Sequence, residues 1–317
     1  MTNENKVSLK KVFAPSVAPV ALVLLVVSYV LISSAQQPGQ RTFSSPQEAS
    51  RAFYAAAQKG DEKAMTEILG PAGKDLVSSG DPAEDLNSRM AFVVKYEEMH
   101  RLVKEPDGTV TLYVGAENWP LPIPLGDKNG AWFYDTDAGK QEILLRRIGK
   151  NELAAIQACR DLVEAQKQYF AQEEARHSSA HYAESFVSDG SRHNGLYRFQ
   201  GNGEYDSFID PLIALAGEGS ASRPPSDPMP FNGYYFRMLT AQGKNAPGGE
   251  MTYTVNGKMV RGFAFVAYPA EYRSSGVKSF IVNQSGVVYE KDLGSNTLEV
   301  ANAMTAYNPD STWHQVN

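Results

Sequence analysis

Residues 151–170 read NELAAIQACRDLVEAQKQYF, and residues 262–294 read GFAFVAYPAEYRSSGVKSFIVNQSGVVYEKDLG. In the first stretch apolar side chains recur every three or four residues, which predicts a helix with one buried face. The expected buried residues are Leu153, Ile156, Cys159, Leu162, Val163 and Phe170. In the second stretch, two strand-like runs flank Gln284-Ser285-Gly286, which indicates a β-hairpin. Together the two stretches predict a helix packed on a late antiparallel sheet.

One strand of that sheet is apolar on both faces. In Gly262–Tyr268, Phe265 points to one side of the sheet and Val266 to the other. Such a strand is covered on both sides, so we expect it inside the sheet and not at an edge. Asn256-Gly257 lies just before it and is the strongest short-range hairpin signal. Residues 177–230, rich in Ser, Gly, Pro and Asp, predict a long surface excursion.

The region before residue 138 predicts a smaller unit of helices followed by a curved antiparallel sheet. Ser45-Pro46-Gln47-Glu48 is a capping box with proline at the first helical position. Asp81-Pro82 repeats the cap and the proline, and opens a helix to about Leu102. The expected buried stripe of that helix is Leu86, Met90, Val93, Val94 and Met99. Strand patterns follow at Val110–Gly115 and Ala131–Thr136, an order similar to that of nuclear-transport-factor-2-like domains.

The fold class is therefore α+β, in four parts. The long helical pattern extends to about Arg176, with a possible break at Gly149 and Asn151 as the cap of its second part. The parts are a signal peptide or membrane-anchor helix at 1–35, a polar linker at 36–41, the unit at 42–137, and the long helix with its antiparallel sheet at 138–317.

The amino-terminal segment predicts export. Lysines at positions 6, 10 and 11 precede an apolar run from Val17 to Ile32, and Ser33 and Ala35 supply the small residues of a signal-peptidase site. The alternative is an uncleaved anchor, because the run approaches the length that spans a bilayer. Either way, we expect a periplasmic body, released or anchored to the inner membrane and facing the periplasm.

The composition argues against several functions. The formal net charge of the 317 residues is −6, which gives no basic footprint for nucleic acid. The single cysteine, Cys159, excludes an intrachain disulfide and a paired-cysteine metal site. Because Cys159 lies on the apolar face of the helix, we expect a buried and inert thiol.

Two resemblances add to these observations. Asn151-Glu152, Gly233-Tyr234-Tyr235-Phe236, Ala267-Tyr268-Pro269 and the hairpin from Gly276 to Tyr289 resemble the headgroups of type IV pilins and pseudopilins, over about half the chain. This likeness implies a pilin-head-like sheet domain, although the amino-terminal segment lacks the glycine, Phe and Glu of the pilin processing site.

A closer resemblance covers nearly all of the chain after the leader. Leu69-Gly70-Pro71, Trp119–Pro124, the run from Arg146 to Glu152, Ala165-Gln166 and Lys291-Asp292-Leu293-Gly294 look like the bacterial exported family called domain of unknown function 2950. This resemblance implies export and one organisation along the chain, and it implies no particular chemistry.

Each group of potentially catalytic or metal-binding side chains can also be explained by a structural role. His177 and His181 have the spacing of metal ligands on a helix, but no glutamate follows the first histidine, and a solvated helix end explains both. Ser79-Gly80-Asp81 lacks the glycines of a nucleophile elbow, and Asp81 suits a helix cap.

The carboxylates Asp135, Asp137 and Glu142 lack the spacing of a calcium loop and suit turns and caps. The sequence thus predicts no catalytic, cofactor-binding or metal-ligating residue, and no cofactor.

Two segments are candidate interaction sites. Trp119, Leu121 and Ile123 alternate with prolines, and a rigid segment loses little entropy on binding. The alternative is a capped sheet edge with Trp119 in the core. Arg146, Arg147 and Lys150 form the densest basic run, which suits an anionic lipid, a polyanionic glycan or an acidic partner. The alternative is a solvated helix face or local ion pairs.

From these observations we expect an exported envelope protein of unknown activity. It would act as a non-catalytic interaction or structural protein with a pseudopilin-like half. Its partners would be an envelope protein or a cell-wall glycan, and the membrane if the amino-terminal segment is uncleaved. The alternative is a periplasmic enzyme or small-ligand binder that uses a pocket in the 42–137 unit.

Overall fold

The structure is a computed structural model that describes residues 36–176, 180–188, 193–199, 205–217 and 229–316. These residues form a mixed α+β fold with seven α-helices and mainly antiparallel sheets. The predicted signal or anchor segment at 1–35 lies outside the described residues. Among those that are described, no helix has the length and apolar character needed to cross a membrane. The chain divides into two compact units, one up to Leu145 and one from Arg146.

The helices of the first unit begin where their capping residues predict. The Ser45 hydroxyl accepts from the Glu48 N–H, and Asp81 accepts from the N–H groups of Ala83 and Glu84. Gly60 ends the first helix in the left-handed conformation that glycine adopts at little cost. The four helices are α1 (Pro46–Lys59), α2 (Glu62–Leu69), α3 (Lys74–Val77) and α4 (Pro82–Glu98), with a 3-10 turn at Pro71–Gly73.

Helix α4 differs from its prediction in length and in orientation. It ends at Glu98, four residues before the expected end at Leu102, and the chain continues as a strand. Its buried face carries Asp85, Ser88, Phe92, Val93 and Tyr96. Of the predicted stripe, Val93 is buried and Met99 is half-buried, whereas Leu86, Met90 and Val94 are exposed. The inward face is the aromatic one because Phe92 packs against Phe53 of α1, with ring centroids 5.2 Å apart.

The sheet of the first unit has the strand order β1-β2-β4-β5, and β3 pairs with β2. Its inward side chains, among them Leu112, Val114 and Leu125, are fully buried and form the core with α1, α2 and α4. The strands are β1 (His100–Lys104), β2 (Val110–Val114), β3 (Trp119–Pro120), β4 (Leu125–Lys128) and β5 (Ala131–Tyr134).

The predicted polar linker at 36–41 is packed on this unit. The buried Gln40 side chain donates to the carbonyls of Ile68 at 3.1 Å and of Tyr134 at 2.8 Å. The Arg41 N–H donates to the Glu67 carbonyl at 2.9 Å. These hydrogen bonds tie the segment to α2 and β5.

One helix, α5 (Thr136–Arg176), runs without the break that Gly149 suggested. Asn151 is therefore an interior residue of the helix, and the prediction that it caps a second part is wrong. Most of the predicted apolar face is confirmed, because Ile156, Cys159, Leu162 and Val163 are buried and Phe170 is half-buried. Leu153 is the exception, since 69% of it is exposed.

The predicted surface excursion at 177–230 is wrong for its described parts. These form β6 (Ser185–Val187), β7 (Gly195–Phe199), β8 (Tyr205–Ser207) and α6 (Pro211–Ala216). Phe186, Leu196 and Ile213 are buried in the core of the second unit. Short strands separated by polar residues hide their alternation, but Asp210-Pro211 repeats the cap-and-proline signal that identified α4.

The main sheet of the second unit has the order β18-β16-β15-β14-β9. All six residues of β14 are buried, so the prediction of an interior strand covered on both faces is confirmed. Ile156 of α5 and Phe265 of β14 belong to one core. The five strands are β9 (Tyr234–Leu239), β14 (Ala264–Pro269), β15 (Lys278–Asn283), β16 (Val288–Asp292) and β18 (His314–Gln315).

Short elements complete this unit. Asn256 and Gly257 both have positive φ and join the hairpin between β12 and β13, as predicted. The elements are β10 (Ala241–Gln242), β11 (Met251–Thr252), β12 (Thr254–Val255), β13 (Lys258–Met259), α7 (Thr297–Ala303) and β17 (Ala306–Tyr307).

Candidate functional site

The proline-rich candidate segment lies mostly inside the first unit. Leu121 and Ile123 are buried, with 4% and 2% of their surface exposed, and the Leu121 N–H donates to the Leu112 carbonyl at 2.8 Å. Trp119 is half-buried and packs against the same core. Within the segment, Trp119, Pro120 and Pro124 are the residues that keep part of their surface exposed.

The basic candidate run holds a loop of its own unit. The guanidinium of Arg147 donates from Nη2 to the Ser274 carbonyl at 2.9 Å. Arg146 is half-buried, and Lys150 is exposed. Of these three, Lys150 is the side chain best placed to meet an anionic partner.

The next two residues of α5 anchor the start of β15, a role that the sequence did not reveal. Asn151 donates to the Ser275 carbonyl at 2.8 Å. One carboxylate oxygen of Glu152 accepts the N–H groups of Val277 at 2.9 Å and Lys278 at 3.0 Å. Burial raises the pKa of Glu152, and these two hydrogen bonds oppose that rise. Asn151 and Glu152 thus hold the Ser275–Lys278 backbone on α5.

Gln166 is a second such anchor, in the motif Ala165-Gln166. Its side chain is fully buried, donates to the Ala183 carbonyl at 3.0 Å and accepts the Ala183 N–H at 2.8 Å. The amide thus pairs with a backbone as a neighbouring strand would, and it holds the segment before β6 on α5.

The polar groups weighed as reactive centres have structural contacts. Asp81 caps α4, and the carboxylate of Asp135 accepts from the Ala138 N–H at 3.1 Å. His181 accepts from the Lys258 ammonium at 3.3 Å, while His177 lies outside the described residues. In the described ranges, no group of three or more His, Cys, Asp and Glu side chains could hold a metal ion.

The Cys159 thiol is fully buried, and burial raises its pKa to about 12. A thiol with this pKa stays protonated at neutral pH. The prediction that Cys159 is buried is confirmed.

The feature that sequence reasoning missed is an exposed apolar stripe on α4. Leu86, Met90 and Val94 expose 52%, 51% and 58% of their surface, and their spacing places them on one face of the helix. Scattered exposed apolar residues are ordinary, but three large ones spaced one helical turn apart on the same face are typical of a contact surface. We call these three residues the α4 stripe.

The surface around the α4 stripe is acidic. Glu97 and Glu98 are exposed at the carboxyl end of the helix, and Asp81 is exposed at its amino end. Both cations of α4 already meet carboxylates of other elements. Arg89 lies 3.3 Å from Glu62, and Lys95 lies 3.0 Å from Glu117.

Comparison with known proteins gives a family and no activity. No match was found among curated proteins or among solved structures, so the likeness to pilin headgroups stays a prediction. One family matches residues 40–316, which is nearly the whole described chain and agrees with the motifs above. This chain therefore belongs to the family described as "Protein of unknown function (DUF2950)".

Proposed function

We propose that this protein is exported and acts by binding another protein of the cell envelope through the α4 stripe. The observation that carries the proposal is the alignment of Leu86, Met90 and Val94, each about half exposed, on the outer face of one helix. Partner helices and grooves bind such rows of side chains spaced one turn apart. An aliphatic stripe suits a protein better than a cell-wall glycan, whose sugars bind polar and aromatic side chains.

Export is the second part of the proposal. It rests on the lysines at positions 6, 10 and 11 ahead of the apolar run Val17–Ile32. We further propose that the second unit is the pseudopilin-like half, since a long helix followed by an antiparallel sheet is the arrangement of a pilin head. Protease added to spheroplasts should degrade the body of the protein, and amino-terminal sequencing should reveal whether the chain starts at Gln36. Full protection from protease would contradict export.

The test of the binding role is photo-crosslinking in intact cells of the bacterium that makes the protein. A benzophenone amino acid replaces Asn87, which is exposed on the helix that carries the stripe. The control places the same group at Lys128, the exposed last residue of β4 in the same unit. We expect a discrete adduct from position 87 alone, which is lost on Leu86→Ser/Met90→Ser/Val94→Ser. Equal adducts from both positions, or none from position 87, would overturn the proposal.

A ligand-binding role for the first unit is the second candidate, and one observation favours it. The hydroxyl groups of Tyr134 and Ser88 are buried and have no hydrogen-bond partner among the described residues. An unpaired buried hydroxyl costs about 1–3 kcal/mol, which a small polar ligand could offset. A thermal-shift screen should then find a compound that stabilises the wild-type protein but not Tyr134→Phe. Equal stabilisation of both proteins would remove Tyr134 from any such site.

A further inference from the structure

We propose that the α4 stripe receives a basic amphipathic helix of the partner protein, an inference that rests on the proposed function and specifies the partner's chemistry. The first argument is charge. Glu97 and Glu98 follow the stripe at the carboxyl end of α4, and Asp81 caps the amino end of the helix; all three are exposed. Lys or Arg residues that flank an apolar stripe on the partner would pair with these carboxylates.

The position of the two glutamates strengthens this argument. Glu97 and Glu98 are the last two residues of α4. Carboxylates at a helix carboxyl end face the negative pole of the helix dipole and are disfavoured there. Lysine at Glu98 would suit the isolated helix better. Glu97 already accepts hydrogen bonds from the Tyr54 hydroxyl at 2.6 Å and the Gln58 amide at 3.3 Å, so Glu98 is the carboxylate that a cationic partner would engage.

Area and charge together argue against a second copy of the chain. Three half-exposed side chains cover far less than the roughly 800 Å² per subunit of a standard interface. If two copies joined at α4, parallel or antiparallel, the acidic ends would meet acidic ends. The stripe is instead long enough for three anchors of a single helix, the spacing i, i+4 and i+8.

The acidic surroundings also argue against a membrane surface. Anionic lipid headgroups would be repelled by Asp81, Glu97 and Glu98, and the cations Arg89 and Lys95 are already engaged by Glu62 and Glu117. A cationic peptide helix avoids both problems, because its charge and its apolar face both match the site.

The test uses the purified full chain and two labelled peptides of about 18 residues, long enough to form a helix. Both carry the same leucine stripe, and the polar face holds lysines in one and glutamates in the other. Fluorescence anisotropy should show the lysine peptide binding at least about tenfold more tightly, with an affinity that falls as salt rises. The variant Leu86→Ser/Met90→Ser/Val94→Ser should lose about tenfold in affinity.

Charge variants keep the test independent of folding defects. Glu98→Lys should weaken binding of the lysine peptide, whereas Asp127→Lys, the same charge change at another exposed site of the unit, should leave it unchanged. Equal binding of the two peptides, no binding of the lysine peptide, or equal effects of the two charge variants would overturn the proposal.

The identity of the peptide crosslinked in cells distinguishes a failure of this inference from a failure of the proposed function. A crosslinked peptide with net positive charge and an apolar stripe supports both. An acidic or neutral peptide, or a segment of this chain's own residues 1–35, overturns the basic-helix inference. No adduct from position 87 overturns the proposed function itself.

Discussion

At the scale of single residues, Glu152 joins α5 to β15 at an electrostatic cost. Burial raises the pKa of its carboxyl above the ordinary 4.5, with a further rise from the charge of Glu290, while the N–H groups of Lys278 and Val277 lower it. The folded state therefore holds the proton more tightly than the unfolded state in the pH range just above 4.5. In that range the carboxyl makes the free energy of unfolding fall as pH rises.

Glu152→Gln should remove this pH dependence while keeping an oxygen that accepts from the two backbone N–H groups. Relative to wild type, the variant should be equally stable at about pH 4 and more stable at about pH 7. Urea unfolding across that range measures the difference. Relative to Glu152→Gln, Glu152→Ala leaves the two donors unpaired and should cost a further amount of about 1–3 kcal/mol at every pH. A constant difference between Glu152→Gln and wild type would contradict the argument.

Gln166 offers a comparison with a second glutamine on the same helix. Gln166→Ala leaves a buried N–H and a buried carbonyl of Ala183 without partners, so it should lower the free energy of unfolding by about 2–4 kcal/mol. Gln157 is exposed and donates to Asp161, one turn along the helix, so Gln157→Ala should cost less than about 0.5 kcal/mol. Denaturant melts of both variants give the two values, and equal losses would contradict the role of Gln166.

At the scale of elements, α5 contains two glycines in opposite surroundings. A Cβ added at Gly149 would meet no atom within 4 Å, so Gly149→Ala should stabilise the helix by about 1 kcal/mol. A Cβ at Gly139 would lie 2.6 Å from Cγ1 and 3.0 Å from Cα of Ile123, because the helix crosses the proline-rich segment closely there. Gly139→Ala should therefore destabilise the first unit. The unfolding temperatures of the two variants should shift in opposite directions. A shift of the same sign would show that Ile123 moves to make room for the added Cβ.

The sequence predicts the caps and turns of these elements, but it does not predict which side chains make tertiary contacts. Caps such as Ser45 and Asp81, and the Asn256-Gly257 turn, depend on neighbouring residues alone, so the sequence predicts them correctly. Anchors such as Glu152 and Gln166 depend on partners far along the chain, and no local pattern reveals them.

Helix α4 explains why the candidate site was missed. It has two apolar faces, one with Phe92 and Tyr96 and one with the α4 stripe, and helical spacing fits both. Which face turns inward depends on α1, where Phe53 meets Phe92 edge-on and Tyr54 stacks on Tyr96. Periodicity shows that a helix has an apolar face, but it cannot say what covers that face.

At the scale of the whole molecule, each unit has its own hydrophobic core. Phe53 lies in the core of the first unit and Phe265 in that of the second, and the two sets of buried residues do not overlap in the described chain. The tryptophans divide in the same way. Trp119 and Trp132 pack on the first core, and Trp313 belongs to the second. Fluorescence can therefore follow each unit separately.

Two cores predict two unfolding transitions, because a chain with separate cores need not unfold in one cooperative step. Phe53→Ala and Phe265→Ala should each cost about 3–5 kcal/mol, since both side chains are buried. In a Trp313→Phe background, where fluorescence reports the first unit, only Phe53→Ala should lower the urea midpoint. In a Trp119→Phe/Trp132→Phe background, only Phe265→Ala should do so. If either substitution lowers both midpoints equally, the two units unfold in one cooperative step and the prediction of two transitions is wrong.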